Sequence, residues 1–120
     1  MTARAQEMPM VKVSNKAIDR QIRMMVSRIV KEFDPERIIL FGSRARKMAR
    51  RDSDVDLLVV MNVKRSKRHA RLAIRELLHD IPVPTDIVVT SPAEFEWRKD
   101  IVGTIEYPAV HEGRSLYEKT

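Results

Sequence analysis

A chain of 120 residues that is 43% hydrophobic and 33% charged can bury one core, and no apolar run in it approaches the roughly 20 residues of a membrane span. The absence of cysteine excludes disulfides, thiolate nucleophiles and cysteine-held zinc, and suits a reducing, cytoplasmic setting. A net charge of +6 draws nucleoside triphosphates, nucleic acid or an acidic protein surface, without choosing among them.

Residues 1–13 mix Arg4, Glu7, Pro9 and Lys12 with methionines and hold no continuous apolar stretch, so they read as a flexible N-terminal segment and not as a secretory signal. Residues 14–120 read as one domain. From 14 to 33 the positions Ile18, Ile22, Met25, Val26, Ile29, Val30 and Phe33 recur at helical spacing, and Arg20, Arg23, Arg28 and Lys31 fill the opposite face. Ser14 or Asn15 can cap this helix, and Asp34-Pro35 ends it, because a residue before proline is pushed out of helical geometry.

Ile38-Ile39-Leu40-Phe41 follows as a short buried strand ending at Gly42. Residues 44–53 are polar and basic, and residues 55–63 read as a second strand led by carboxylates. Residues 64–79 pattern as a helix with Ala70, Ala73, Ile74, Leu77 and Leu78 on one side and Lys67, Arg68, Arg71 and Arg75 on the other. Pro82 and Pro84 break it before a third strand at 85–90. Ser91-Pro92-Ala93-Glu94 is a helix start with serine at the cap, proline at the first position and glutamate reaching back. Gly103 interrupts that helix. A further turn or two runs to about Glu112, Gly113 reads as a left-handed stop, and Ser115-Leu116-Tyr117 forms a last short strand. The order implies one α+β domain with a small mixed sheet flanked by helices.

The chemistry concentrates between the first two strands. Side chains alternate along a strand, so Asp54 and Asp56 project to one face, where their mutual repulsion is relieved by cations. With no cysteine and no nearby histidine pair, such a site favours magnesium or manganese over zinc. Gly42 lets the backbone come close to a phosphate, and Ser43 can donate to its oxygens. Arg44, Arg46 and Lys47 add positive charge. Asp86, on the next apolar strand, can bind a metal and accept the proton of an attacking hydroxyl. Phosphate cradle, cations and carboxylates together are the parts of metal-assisted phosphoryl or nucleotidyl transfer. Each signal alone is weak, since Gly-Ser is common and an Asp-x-Asp at a strand start is more often a turn or cap. Their spacing makes the combination specific.

Leu40-Phe41-Gly42-Ser43-Arg44-Ala45-Arg46, the spacer after it and Ser53-Asp54-Val55-Asp56-Leu57-Leu58-Val59 resemble the minimal nucleotidyltransferases of the DNA polymerase β superfamily. The closing Glu112-Gly113-Arg114-Ser115-Leu116-Tyr117 is similar to the family's usual ending. The resemblance implies the polymerase β-like nucleotidyltransferase fold, two magnesium ions, ATP as substrate and a third metal carboxylate at Asp86. It places Arg46, and less strongly Arg44, near the triphosphate. Lys47 stands where family members often have glycine. The resemblance also implies a partner: many stand-alone members pair with a HEPN-domain RNase toxin and act as its antitoxin by transferring AMP to a toxin tyrosine. Two alternatives stay open, a non-catalytic antitoxin that masks the toxin sterically and an enzyme acting on RNA ends or a small molecule. Direct binding of nucleic acid is not expected, because no aromatic residues interleave the basic cluster at 64–71, which reads as a solvated helix face. His69, His79 and His111 lack metal-ligand spacing and read as surface or interface residues.

Overall fold

The computed structural model describes residues 2–46 and 54–120, with side chains from residue 16 onward. Helix α1 spans Thr2–Phe33, so its backbone begins well before the serine expected to open it. Ile22, Met25 and Ile29 are its buried stripe, with Ile18, Val26, Val30 and Phe33 packed at its margins. Fully burying side chains of this size contributes about 1.5–3 kcal/mol each. The helix stops at Asp34, which turns into the left-handed region at φ 49° while its N–H still reaches Val30 O at 3.1 Å. Aspartate tolerates that conformation better than most residues, and Pro35 forbids a further turn.

The remaining elements follow in chain order: strands β1 (Arg37–Phe41) and β2 (Val55–Val60), helix α2 (Lys67–Leu77), strand β3 (Thr85–Thr90), helices α3 (Pro92–Arg98) and α4 (Glu106–Glu112), and strand β4 (Arg114–Glu118). The α2 boundary differs from the sequence expectation because Ser66 caps it, its hydroxyl accepting the His69 N–H at 3.0 Å. The serine cap of α3 is present as expected, Ser91 Oγ accepting from Glu94 N at 3.2 Å. The four strands form one mixed sheet in the order β3-β2-β1-β4, the α+β architecture the sequence implied. β1 pairs antiparallel with β2 and β4, while β2 and β3 run parallel. A parallel pair needs a crossover, and α2 supplies it.

Both faces of the sheet are covered, which is why the two inner strands read as continuous apolar runs. Ile38, Leu40, Leu57, Val59 and Ile87 join the larger core with α1 and α2. Ile39, Leu58 and Val60 pack with Phe95 of α3 and Ala109 of α4 on the other side. Beneath that second layer, buried Glu106 accepts from Thr90 Oγ1 at 2.8 Å and from Arg98 Nε at 3.0 Å, locking α3 and α4 to the end of β3. Gly113 corrects the sequence expectation. It is extended, at φ −86° and ψ 179°, and no left-handed stop. A side chain there would meet Ala109 O, Leu40 O at 2.7 Å and Ile39 Cγ2 at 2.9 Å, so glycine is required for close approach of α4 to β1. No helix among the described residues is long and apolar enough to cross a membrane.

Candidate active site

The period of two along β2 decides where the carboxylates go. Leu58 and Val60 face the α3–α4 layer, so Asp56 and Asp54, in step with them, belong to that face. On β3, Val88 packs into the same layer, which puts Asp86 on that face too. The parallel register then sets Asp56 directly beside Asp86. Asp54 and Asp56 thus share one corner of the sheet, at the N-terminal ends of β2 and β3, with Asp86 from much later in the chain. Asp54 and Asp86 are exposed, and Asp56 is half-buried. Burial, then the charges of Asp86 and Asp54, hold the Asp56 carboxyl above its usual range.

β1 brings the second half of the site. Phe41 pairs with Asp56 across the antiparallel ladder, so the chain leaves β1 at Gly42 next to that carboxylate. Gly42 is glycine for two reasons. Its φ is +77°, a left-handed conformation, and a Cβ on it would collide with Asp56 Oδ2. Its carbonyl then accepts from the N–H groups of Ala45 at 3.2 Å and Arg46 at 3.3 Å, closing a single helical turn anchored by buried Ala45. The opening N–H groups of such a turn have no earlier carbonyl within it, and this one opens at Ser43, beside the carboxylates.

Of the basic residues expected here, Arg44 is half-buried in the turn, and Arg46 extends to Glu112 at the end of α4, with Nη1 to Oε1 at 3.3 Å. Lys47 and Ser53 lie outside the described residues. Glu112 has no sequence signal as a partner for Arg46; only the packing of α4 on β1 brings the two together. The expected histidines are all exposed, as surface residues would be.

Among the described residues, the donor set at the corner is carboxylate oxygen, which suits a hard divalent cation. Among the described residues no three His, Cys, Asp or Glu stand close enough to enclose an ion by themselves. The convergence is pairwise, Asp56 with Asp86 and Asp56 with Asp54. Magnesium is commonly held in that way, by one or two carboxylates with the rest of its coordination from water and substrate phosphates. The residues therefore fit a cation that binds together with a triphosphate, and not a cage that holds a metal alone.

The family profile for the nucleotidyltransferase domain matches residues 22–110, from the middle of α1 to α4. Among solved structures, a candidate nucleotidyltransferase from Sulfolobus solfataricus shares 26% identity over 86% of this chain and 87% of its own, with a TM-score of 0.56. A toxin–antitoxin complex with AMP-PNP shares 20% identity over 80% of this chain and 73% of the other, with a TM-score of 0.54. A mutant of the toxin–antitoxin pair MntA-HpeT shares 19% identity over 89% and 74%, with a TM-score of 0.50. The last two likenesses show the fold alone. No curated protein matches the sequence.

Proposed function

We propose, from the premise that this chain belongs to the nucleotidyltransferase domain family, that it transfers AMP from ATP to a tyrosine hydroxyl of a cognate HEPN RNase toxin in the cytoplasm, and so neutralises the toxin. The observation that carries the transfer is the juxtaposition of Gly42 with Asp56 and of Asp56 with Asp86. A phosphate-approach loop, a metal-suited carboxylate pair and an exposed third carboxylate meet at one corner. The antitoxin reading draws on the fold shared with chains of two toxin–antitoxin structures, one of them with AMP-PNP.

In this reading each residue has a task. Asp54, Asp56 and Asp86 would hold magnesium, which supplies positive charge to the triphosphate when bound. The backbone at Gly42 allows the phosphates to come near, and Ser43 donates to their oxygens. Arg46 leaves Glu112 for the triphosphate, a cheap exchange because an exposed ion pair contributes about 0–1 kcal/mol. Asp86 takes the proton of the acceptor hydroxyl as its oxygen bonds to the α-phosphorus and the bond to the β-phosphate breaks, releasing pyrophosphate. Incubating the protein with magnesium, labelled ATP and the product of its neighbouring gene should label that product. Absence of label with any of the four nucleoside triphosphates would overturn the proposal. Protection from the toxin that persists in Asp54→Asn, Asp56→Asn would mean masking instead of catalysis.

A further inference from the structure

Among the described residues six large apolar side chains stand exposed, and four of them, Trp97, Ile101, Val102 and Ile105, fall in the connection between α3 and α4. Trp97, the chain's one tryptophan, is 60% exposed and Val102 78%. Isolated apolar residues such as Met24 and Leu72 are ordinary on a surface, but a group of four within one connection is a docking feature. Turns are ordinarily made by glycine, proline and small polar residues, so the turn itself does not account for these four.

The connection is firmly built. Lys99 N donates to Phe95 O at 3.0 Å and Ile101 N to Arg98 O at 2.9 Å, which carries the chain on from α3 until Gly103 turns it at φ 102°. The Thr104 hydroxyl lies 2.9 Å from both Arg98 O and Ile101 O, its proton shared between them, and accepts from Tyr107 N at 3.1 Å. Arg98 is joined to Glu106, and Glu106 to Thr90, the end of β3 away from Asp86. The four apolar side chains are thus presented on a fixed backbone, and covering them sacrifices little conformational entropy.

Charge decides what covers them. Residues 64–75 hold Lys64, Arg65, Lys67, Arg68, Arg71 and Arg75 with no carboxylate, so two copies of the chain repel wherever those faces meet. An acidic partner is drawn to that same face and not to the α3–α4 connection. Residues 91–113 hold Glu94, Glu96, Asp100, Glu106 and Glu112 against Arg98 and Lys99, a net −3 in a chain of +6. Next to the apolar group itself the signs balance, with exposed Glu96 and Asp100 beside half-buried Arg98 and Lys99. A face with both signs in equal number can complement itself, because a two-fold axis brings the carboxylates of one copy to the cations of the other.

We infer that this face is an isologous dimer contact, in which a second copy of the chain covers Trp97, Ile101, Val102 and Ile105 with the same four residues. Trp97 is its anchor, as large aromatic residues commonly are at the centre of an interface. The contact lies at the Thr90 end of β3, so both carboxylate corners stay uncovered. It holds whatever the site transfers.

Sedimentation of the full chain, with no nucleotide or metal present, tests the contact. As concentration rises, the mass should climb from the 14.0 kDa of one chain to that of two and stop there. Trp97 emission should move to the blue over the same range, and it reports on this face alone because no other tryptophan is present. Added salt should tighten the association by screening the two +6 chains from one another. Val102→Glu, at a position 78% exposed, should weaken it by about thirtyfold or more with an unchanged circular dichroism spectrum. Four results would overturn the inference: a single-chain mass up to submillimolar concentration, a dimer that Val102→Glu leaves intact, an association that salt dissolves, or Trp97 emission that shifts only when a different protein is added.

Discussion

Gly42 and Asp56 approach so closely that a methyl group on the first would collide with the second's Oδ2. The collision is with the tip of a movable side chain, so Gly42→Ala should cost the fold mainly the left-handed strain, about 1–2 kcal/mol. The carboxylate must swing away to make room. ATP binding in magnesium should therefore fall far more than the modest drop in melting temperature accounts for, and calorimetric titration beside thermal melting reads both.

Asp86→Asn tests the carboxylate proposed both to help hold magnesium and to take the acceptor's proton. Its loss should lower transfer by about 10²–10⁴-fold. Asparagine also relieves the repulsion on Asp56, so the metal-free protein should melt no lower than the parent. A variant that transferred at the parental rate would remove Asp86 from the mechanism.

Arg46 presents a choice between two partners. If it moves from Glu112 to the triphosphate, Arg46→Ala should weaken ATP binding by about tenfold, roughly one charged hydrogen bond. Glu112→Gln should leave that binding undiminished. Equal losses in both variants would instead mean that the ion pair shapes the loop.

Glu106 gives the fold an acid limit. Burial pulls its carboxyl upward, but bonds from Thr90 and Arg98 outweigh burial and hold it below the ordinary glutamate range. A carboxyl depressed in the folded state stabilises above its unfolded value, roughly 4.3, and that stabilisation is lost as pH falls through the folded value. Glu106→Gln should accordingly cost about 1–3 kcal/mol near neutrality, and its deficit should shrink toward zero in acid. Melting curves of parent and variant from neutral pH downward check this.

The site was legible in the sequence because its parts are local signals. Gly42 ends one apolar run, Asp54 and Asp56 open the next, and strand periodicity fixes their shared face. Asp86 could be named as a candidate, but only the parallel register sets it against Asp56, since nothing in a sequence specifies which strands lie side by side. The same limit hid the Thr90–Glu106–Arg98 group and the Arg46–Glu112 pair, which depend on how α3 and α4 settle on the sheet. Gly113 shows the opposite failure: the glycine was noticed, yet its cause is crowding against β1 and not backbone handedness.

The two pairings that build the corner differ in how far the chain must travel. Gly42 meets Asp56 through an antiparallel return between neighbouring strands, whereas Asp56 meets Asp86 only after the chain has passed through α2 and doubled back. Contacts that close longer loops form later and more slowly. A nascent chain should therefore acquire the Gly42–Asp56 half of the corner while the Asp86 half is still unfolded. A chain assembled in that sequence completes its carboxylate corner only once β3 has settled beside β2.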